Sequence, residues 1–222
     1  MSEFLSYLAA NDREDDRIPP LAELSQKLGV SIAILREQME VARALGLVEV
    51  KPKTGIRRLP YTFKPAVKQS LTYAISTDQA YFSLYADLRK HIEQVYWIEA
   101  VPLLTPKDHD LLRSFIQRAK DKLNAVPAQI PHTEHREFHL AFYRRLNNPF
   151  VLGLLETYWE LYEEVGLNVF TDYNYLQKVW KYHEVIVDAI CNGDLLAGSQ
   201  ALSDHMDLLQ QRPKTSTNQK FE

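Results

Sequence analysis

Four of the seven histidines in this 222-residue chain sit where a helix turns them inward. His135 and His139 are four residues apart, so on a helix they share one face, with Cβ atoms about 5–6 Å apart. The same stripe carries Phe138, Phe142 and Leu146. His183 falls among Leu176, Val179, Trp180, Ile186, Val187 and Ile190, and His205 among Ala201, Leu202, Leu208 and Leu209. Three separate helical stretches therefore each direct imidazole toward an apolar face. Neutral imidazole is a ligand for zinc, nickel, copper or iron. One buried histidine is ordinarily a core residue with its hydrogen bonds satisfied, whereas four on three inward faces make a metal site a real alternative. Periodicity alone leaves open whether the three stretches converge. His91, His109 and His132 read as surface or loop residues.

A second chemistry sits near the N-terminus. Residues 51–64 carry Lys51, Lys53, Arg57, Arg58 and Lys64 with no acid among them, while Asp12, Glu14, Asp15 and Asp16 crowd around Arg13. The net charge of −3 therefore hides a segregated distribution of the kind a phosphate-facing surface needs.

The elements that position these residues follow from breakers and periodicity. Residues 2–10 read as a short helix with Phe4, Leu5 and Leu8 on one face, followed by an acidic loop, Asn11 to Arg17. Pro19-Pro20 suits a helix entry. Leu21, Leu24 and Leu28 recur at helical spacing until Gly29, which is free to adopt positive φ. Ser31 is the N-cap of a helix running to about Leu45. Val48 and Val50 alternate with Glu49 and Lys51 as a strand, Lys53-Thr54-Gly55 turns, and Ile56–Leu59 returns. This order, with its three-residue turn Gly29-Val30-Ser31, is a winged helix-turn-helix.

Beyond residue 66 the pattern is helical, with helices near 80–100, 106–122, 132–146, 149–166, 172–192 and 194–210, and a short one near 66–76. The expected fold is mainly α. A winged helix-turn-helix DNA-binding domain occupies 1–62, a linker or short helix 63–79, an antiparallel helical bundle 80–210 and a flexible tail 211–222.

Composition narrows the class further. With 45% hydrophobic and 25% charged residues and only seven glycines, the chain is neither collagen-like nor disordered. There is no run of about 18 apolar residues for a membrane span. The start Met1-Ser2-Glu3-Phe4 has no secretory pattern. The single Cys191 can form neither an intrachain disulfide nor a Cys-rich zinc site. A reduced, cytoplasmic location is the expectation.

A helix fits the major groove and offers the side chains of its first turns to base edges. Here these are Ser31, Ile32, Ala33 and Arg36. Arg36 can donate two hydrogen bonds to guanine or clamp a phosphate. The hairpin residues Lys51, Lys53, Thr54 and Arg57 would lie against the backbone or enter the minor groove, with Gly55 permitting close approach. The competing reading is a winged helix used only as a protein-interaction module.

The stretch Ile18-Pro-Pro-Leu-Ala-Glu-Leu-Ser-Gln-Lys-Leu-Gly-Val-Ser31, with Leu35-Arg36-Glu37 and Gly46-Leu-Val-Glu-Val-Lys51, resembles the DNA-binding domain of GntR-type bacterial transcription regulators. It departs at Pro20-Leu21-Ala22, where the family usually has a Ser-Glu-Arg-like group, and at Ile32, where it usually has arginine. His135-Arg-Glu-Phe-His139, Asn148-Pro149, His183 with Asp188-Ala189-Ile190, Gly193-Asp194 and His205 resemble the effector-binding FCD domain of the FadR-like branch. Arg89 and Glu93 resemble the Arg-x-x-x-Glu of its early helix. The resemblance implies that the histidines converge around a divalent metal, zinc or nickel, and that a small organic acid completes the coordination. It also implies a homodimer on a palindromic double-stranded operator, with no membrane partner. His135 stands where the family usually has aspartate, so the site loses one negative charge. Arg89 either clamps the effector carboxylate or pairs internally with Glu93.

No enzyme is expected. His135-Arg136-Glu137-Phe138-His139 lacks the glutamate directly after the first histidine that a zincin needs as general base. The chain has no Gly-x-Ser-x-Gly, P-loop or dinucleotide fingerprint. A metal-dependent hydrolase and a ligand-free degenerate adaptor are the alternatives.

Overall fold

The computed structural model describes residues 1–11, 17–52, 55–167 and 172–210, the side chains of 209 and 210 excepted. The acidic run 12–16, Lys53, Thr54, the Leu209 side chain and the tail 211–222 lie outside the described residues. The chain divides into two compact units, residues 1–82 with 149–157 and residues 83–148 with 158–222.

In the first unit, α1 (Glu3–Ala10) is capped by Ser2, whose hydroxyl accepts from the Leu5 amide at 3.4 Å. Helix α2 (Leu21–Leu28) starts after Pro20 and stops at Gly29, which adopts φ +69°, a left-handed conformation that costs glycine little. The Ser25 hydroxyl donates to the Val30 carbonyl at 2.7 Å and ties the turn. Ser31 then caps α3 (Ile32–Ala44), accepting from the Ile34 amide at 3.3 Å. Phe4, Leu8, Leu24, Leu35 and Ala42 from these helices bury against Ile18, Val48 and Ile56.

Those last three residues lie on a three-stranded antiparallel sheet of β1 (Arg17–Ile18), β2 (Val48–Lys51) and β3 (Gly55–Arg58), in the order β1-β3-β2. Periodicity shows only the β2–β3 hairpin. Residues Arg17 and Ile18, expected to be loop or loop edge, pair with Arg57 and Ile56. A two-residue strand shows no alternation, and its partner lies some forty residues further along the chain, so only tertiary pairing reveals it.

The stretch expected to be a linker or short helix is α4 (Lys64–Thr77). The start of α8 (Pro149–Glu164) packs within this same unit, with the Phe150 ring 5.3 Å from Phe63 and 6.2 Å from Tyr61. Gly153 makes this approach feasible, since a Cβ there would lie 2.8 Å from the Lys64 amide nitrogen.

The second unit is a helical bundle. It comprises α5 (Ala80–Ala100) from Ser83 onward, a 3₁₀ turn Val101–Leu103, α6 (Pro106–Leu123), α7 (His132–Tyr143) with a 3₁₀ turn Arg144–Leu146, α8 from Tyr158, α9 (Tyr173–Asn192) and α10 (Leu195–Gln210). Thr105 caps α6: its amide and hydroxyl both donate to the Asp108 carboxylate, at 2.7 and 2.5 Å. Gly193 and Asp194 alone link α9 to α10, which forces the two antiparallel. Helix α9 packs on α10 and α6, and α6 on α7. Helix α5 is tied to α10, where the Trp97 indole donates to the Leu195 carbonyl at 2.9 Å and Gln94 bonds Ser199. Trp97, Trp159, Phe138, Phe142 and Leu112 fill the interior. Among the described residues, no helix is long and apolar enough to cross a membrane.

Candidate functional site

Helix α7 carries His135 and His139, α9 carries His183 and α10 carries His205. Their periodicity turned all four inward, and tertiary packing brings their nitrogens together. The four ligand atoms lie within 4.8 Å of one another. His205 is the hub, with its Nε2 3.0 Å from His139 Nε2, 3.2 Å from His183 Nε2 and 3.3 Å from His135 Nε2. His139, His183 and His205 are buried, and His135 is half-buried.

Hydrogen bonding alone does not account for this convergence. An imidazole nitrogen offers one in-plane site, either a proton or a lone pair. His205 Nε2 can satisfy one of its three close neighbours, leaving the other two facing it with like poles. A cation at the centre resolves the conflict by accepting every lone pair. Zinc–nitrogen bonds of about 2.0–2.1 Å at tetrahedral angles place ligand nitrogens about 3.3–3.4 Å apart, close to the separations around His205. The cluster can therefore hold a metal ion.

Protonation favours the same use. Burial pushes His183 and His205 well below the ordinary imidazole pKa, with neighbouring imidazoles acting in the same direction. His135 is lowered in the same way. His139 is lowered less, because Glu93 opposes the effect of burial. All four are neutral near pH 7, the form that ligates. The Glu93 carboxylate lies 2.9 Å from His139 Nδ1, which fixes that nitrogen as the donor and leaves Nε2 its lone pair.

Arg89 and Glu93 lie on the inner face of α5, and both are buried. Arg89 Nε donates to Glu93 at 2.5 Å. Burial alone would raise the Glu93 pKa, but Arg89 and then His139 outweigh it and hold the carboxylate ionised. The internal pair is thus present, yet it uses only part of the guanidinium. Arg89 Nη2 is buried without a hydrogen-bond partner. The guanidinium lies over the rings of Tyr158 and Trp159, 4.3 and 4.7 Å from their centroids.

Trp159 was not singled out by the sequence. It is fully buried, with its ring 4.8 Å from His135 and 5.4 Å from His139. The only signal was the aromatic stripe of α8, which reads as ordinary core. His132 needs a correction. It is neither surface nor loop, but the first residue of α7, stacked on Tyr162 at 5.7 Å with Nε2 2.7 Å from Glu163. Together with His135, Tyr162 and Trp180 it lines a cavity of about 20 Å³, roughly the space of one water. His135 is thus the cluster member at a cavity wall.

In the first unit, the Ser31 hydroxyl is engaged in capping α3. Ile32, Ala33, Ile34 and Arg36 are exposed along its first two turns. Lys51 is exposed and pairs with Glu49 at 2.9 Å. Gly55 adopts φ +79° with open space where a Cβ would stand. Arg57 is half-buried and sits opposite Arg17 in the sheet register, so the wing face gains a cation expected in the acidic loop. Lys53 and Thr54 lie outside the described residues.

Residues 85–208 match the FCD domain. The Uxu operon regulator of Haemophilus influenzae is 26% identical over 200 residues, covering 86% of this chain and 71% of that protein. The Uxu operon transcriptional regulator of Escherichia coli is 24% identical over 202 residues, covering 89% and 78%. Among solved structures, a GntR protein of Streptococcus agalactiae superposes with a TM-score of 0.61 at 18% identity, covering 94% of this chain and 95% of that one. The Listeria monocytogenes protein Lar, described as controlling expression of the agr system, gives 0.52 at 14% identity, covering 94% of both chains. These two structures share the fold.

Proposed function

Because the chain belongs to the FCD-domain family of GntR-type, DNA-binding transcription regulators, we propose that its helical unit senses a small organic acid through a metal held by His135, His139, His183 and His205. The observation that carries this reading is the meeting of three imidazole nitrogens at 3.0–3.3 Å from His205 Nε2, an arrangement one hydrogen bond cannot satisfy. Four neutral nitrogens favour zinc or nickel over metals that prefer oxygen. With no carboxylate among the ligands, the ion keeps its full charge and attracts an anion. The buried Nη2 of Arg89 supplies a charge-assisted donor for a carboxylate. His135 is the cluster member at the cavity wall, so it is the ligand nearest a route by which an acid would approach the centre.

On the DNA side, α3 enters the major groove with Arg36 at the bases, and Lys51, Arg57 and Gly55 approach the backbone, together with Lys53 and Thr54, which lie between them in the sequence. Two copies read a palindromic operator. Acid binding changes operator affinity through a coupling free energy, typically about 1–3 kcal/mol.

Elemental analysis of the purified protein, run beside native mass spectrometry, tests the centre. About one zinc or nickel per chain, with a small acid retained, supports the reading. A folded protein that takes up neither metal on addition removes the centre and leaves the DNA-binding function. Arg36→Ala should weaken binding to a duplex selected from a random library about 10- to 100-fold, with the circular dichroism spectrum unchanged. Undiminished binding would take Arg36 out of the interface.

A further inference from the structure

Four imidazoles at tetrahedral angles leave an ion no open position, as in a structural zinc site, whereas a centre that takes a further ligand holds three protein groups and keeps one place free. A helical unit that senses an acid at its centre must therefore free a place, and the four histidines are not equally held. His139 is 1% exposed, and the Glu93 carboxylate accepts from its Nδ1 at 2.9 Å. His183 is fully buried, its ring 4.4 Å from Phe138 and 4.6 Å from Trp180. His205 is 5% exposed and packs 4.4 Å from His183 and 5.0 Å from His139. Of the four, only His135 is half-buried. It lines the cavity with His132, Tyr162 and Trp180, and among the described residues nothing accepts a hydrogen bond from its Nδ1. His183 and His205 also have no partner on Nδ1, but the core encloses both rings.

We propose that His135 is the exchangeable member of the four: His139, His183 and His205 form the permanent base of the metal site, and a carboxylate takes the place of the His135 ring. The inference rests on the metal-and-acid reading above. His135 leaves as a neutral group, so the incoming carboxylate adds the negative charge that a set of four imidazoles lacks.

Unpaired donors beside His135 favour the exchange further. Trp159 is fully buried, and its indole Nε1–H has no acceptor. Its ring lies 4.8 Å from the His135 ring on one side, and the Arg89 guanidinium stands 4.7 Å from it, with Nη2 also lacking an acceptor. Buried donors left unpaired are costly. His135 cannot relieve them, because a neutral ring whose Nε2 lone pair is turned to the centre has only its Nδ1 proton left to offer. A carboxylate has two oxygens and about four lone-pair sites, enough to serve the centre, Arg89 and the Trp159 indole together.

Zinc affinities of single variants of the full chain, read by competition with a chromophoric chelator, test the ranking. His183→Ala and His205→Ala should each raise the zinc Kd by about 100-fold or more, one ligand's share of the affinity of a four-ligand site, and His135→Ala by less than about 10-fold. Nitrogen-15 NMR of the zinc-loaded wild type, labelled at histidine, reads the exchange itself, with acetate at about 50 mM as the probe. The His135 Nε2 resonance, assigned by its loss in His135→Ala, should move from the zinc-bound to the free-imidazole position while those of His139, His183 and His205 stay. Trp159→Phe keeps an aromatic ring and removes the indole donor, and it should raise the acetate concentration needed by about 10-fold or more. A His135→Ala protein that loses zinc as readily as His183→Ala, or movement of a different ring, overturns the proposal. A wild type that keeps zinc on all four rings whatever the acetate overturns it too, while leaving the metal centre standing. A wild type that takes up no zinc removes the centre and the exchange together.

Discussion

Exchange of His205 for alanine is expected to reduce the bound metal from about one per chain to less than a tenth after dialysis. His205 is the one ring whose Nε2 lies within 3.3 Å of all three other nitrogens. Without it the remaining imidazoles have no common vertex, and a void opens where a buried ring packed 4.4 Å from His183 and 5.0 Å from His139. Two readouts separate ligation from packing. Added zinc should raise the melting temperature of the wild type, because a ligand at 100 times its Kd stabilises the native state by about 2.7 kcal/mol. It should leave that of His205→Ala unmoved. His109→Ala on α6, which is not a member of the cluster, should behave as wild type. A His205→Ala protein that retains full metal, or the full zinc-dependent rise, is incompatible with a centre built on His205.

Replacing Arg89 with leucine is expected to cost about 3–5 kcal/mol of folding free energy, because it leaves an ionised carboxylate buried with half its partners gone. Glu93 is fully buried, and Arg89 and His139 are the groups that hold it charged. Urea denaturation reads the loss directly. The double variant Arg89→Leu with Glu93→Leu should recover a large share of it, since the cost lies in the uncompensated charge rather than in the missing ion pair. A single variant within 1 kcal/mol of wild type would mean that the guanidinium is not what compensates Glu93. Arg89→Lys keeps the charge but loses the fork. It should fold nearly normally while binding a retained organic acid more weakly, which separates the clamp from the internal pair.

Much of the fold was legible because local chemistry decides it. Pro20, Gly29 and Ser31 start, stop and cap helices using interactions within a few residues, and α2 and α3 fall where those residues put them. The long helices α5, α6, α9 and α10 follow apolar periodicity and the breakers between them. Where the deciding interaction is distant, the sequence was silent. Arg17–Ile18 becomes a strand only because β3 offers an edge. His132 leaves the surface only because Tyr162 and Glu163 stand across from it. Residues Pro149–Thr157 begin a helix that serves the bundle further along, yet they pack with the first unit, around a glycine whose missing Cβ lets Lys64 and Phe63 approach.

The candidate site divides in the same way. The sequence by itself determined which residues face inward, because 3.6-residue periodicity fixes direction around each helix axis regardless of its neighbours. It thereby named His135, His139, His183 and His205 as four imidazoles on buried faces. Only the tertiary structure decided that they meet, since the relative rotation and height of three helices come from side-chain packing between segments up to 70 residues apart. The same packing put Glu93 on the far nitrogen of His139, laid Trp159 against two of the four rings and left Arg89 Nη2 without a partner. Hydrophobic burial is non-directional. It chooses the inward residues from the pattern, whereas the positions of polar atoms inside are settled only when the assembled helices leave each one a single place to be.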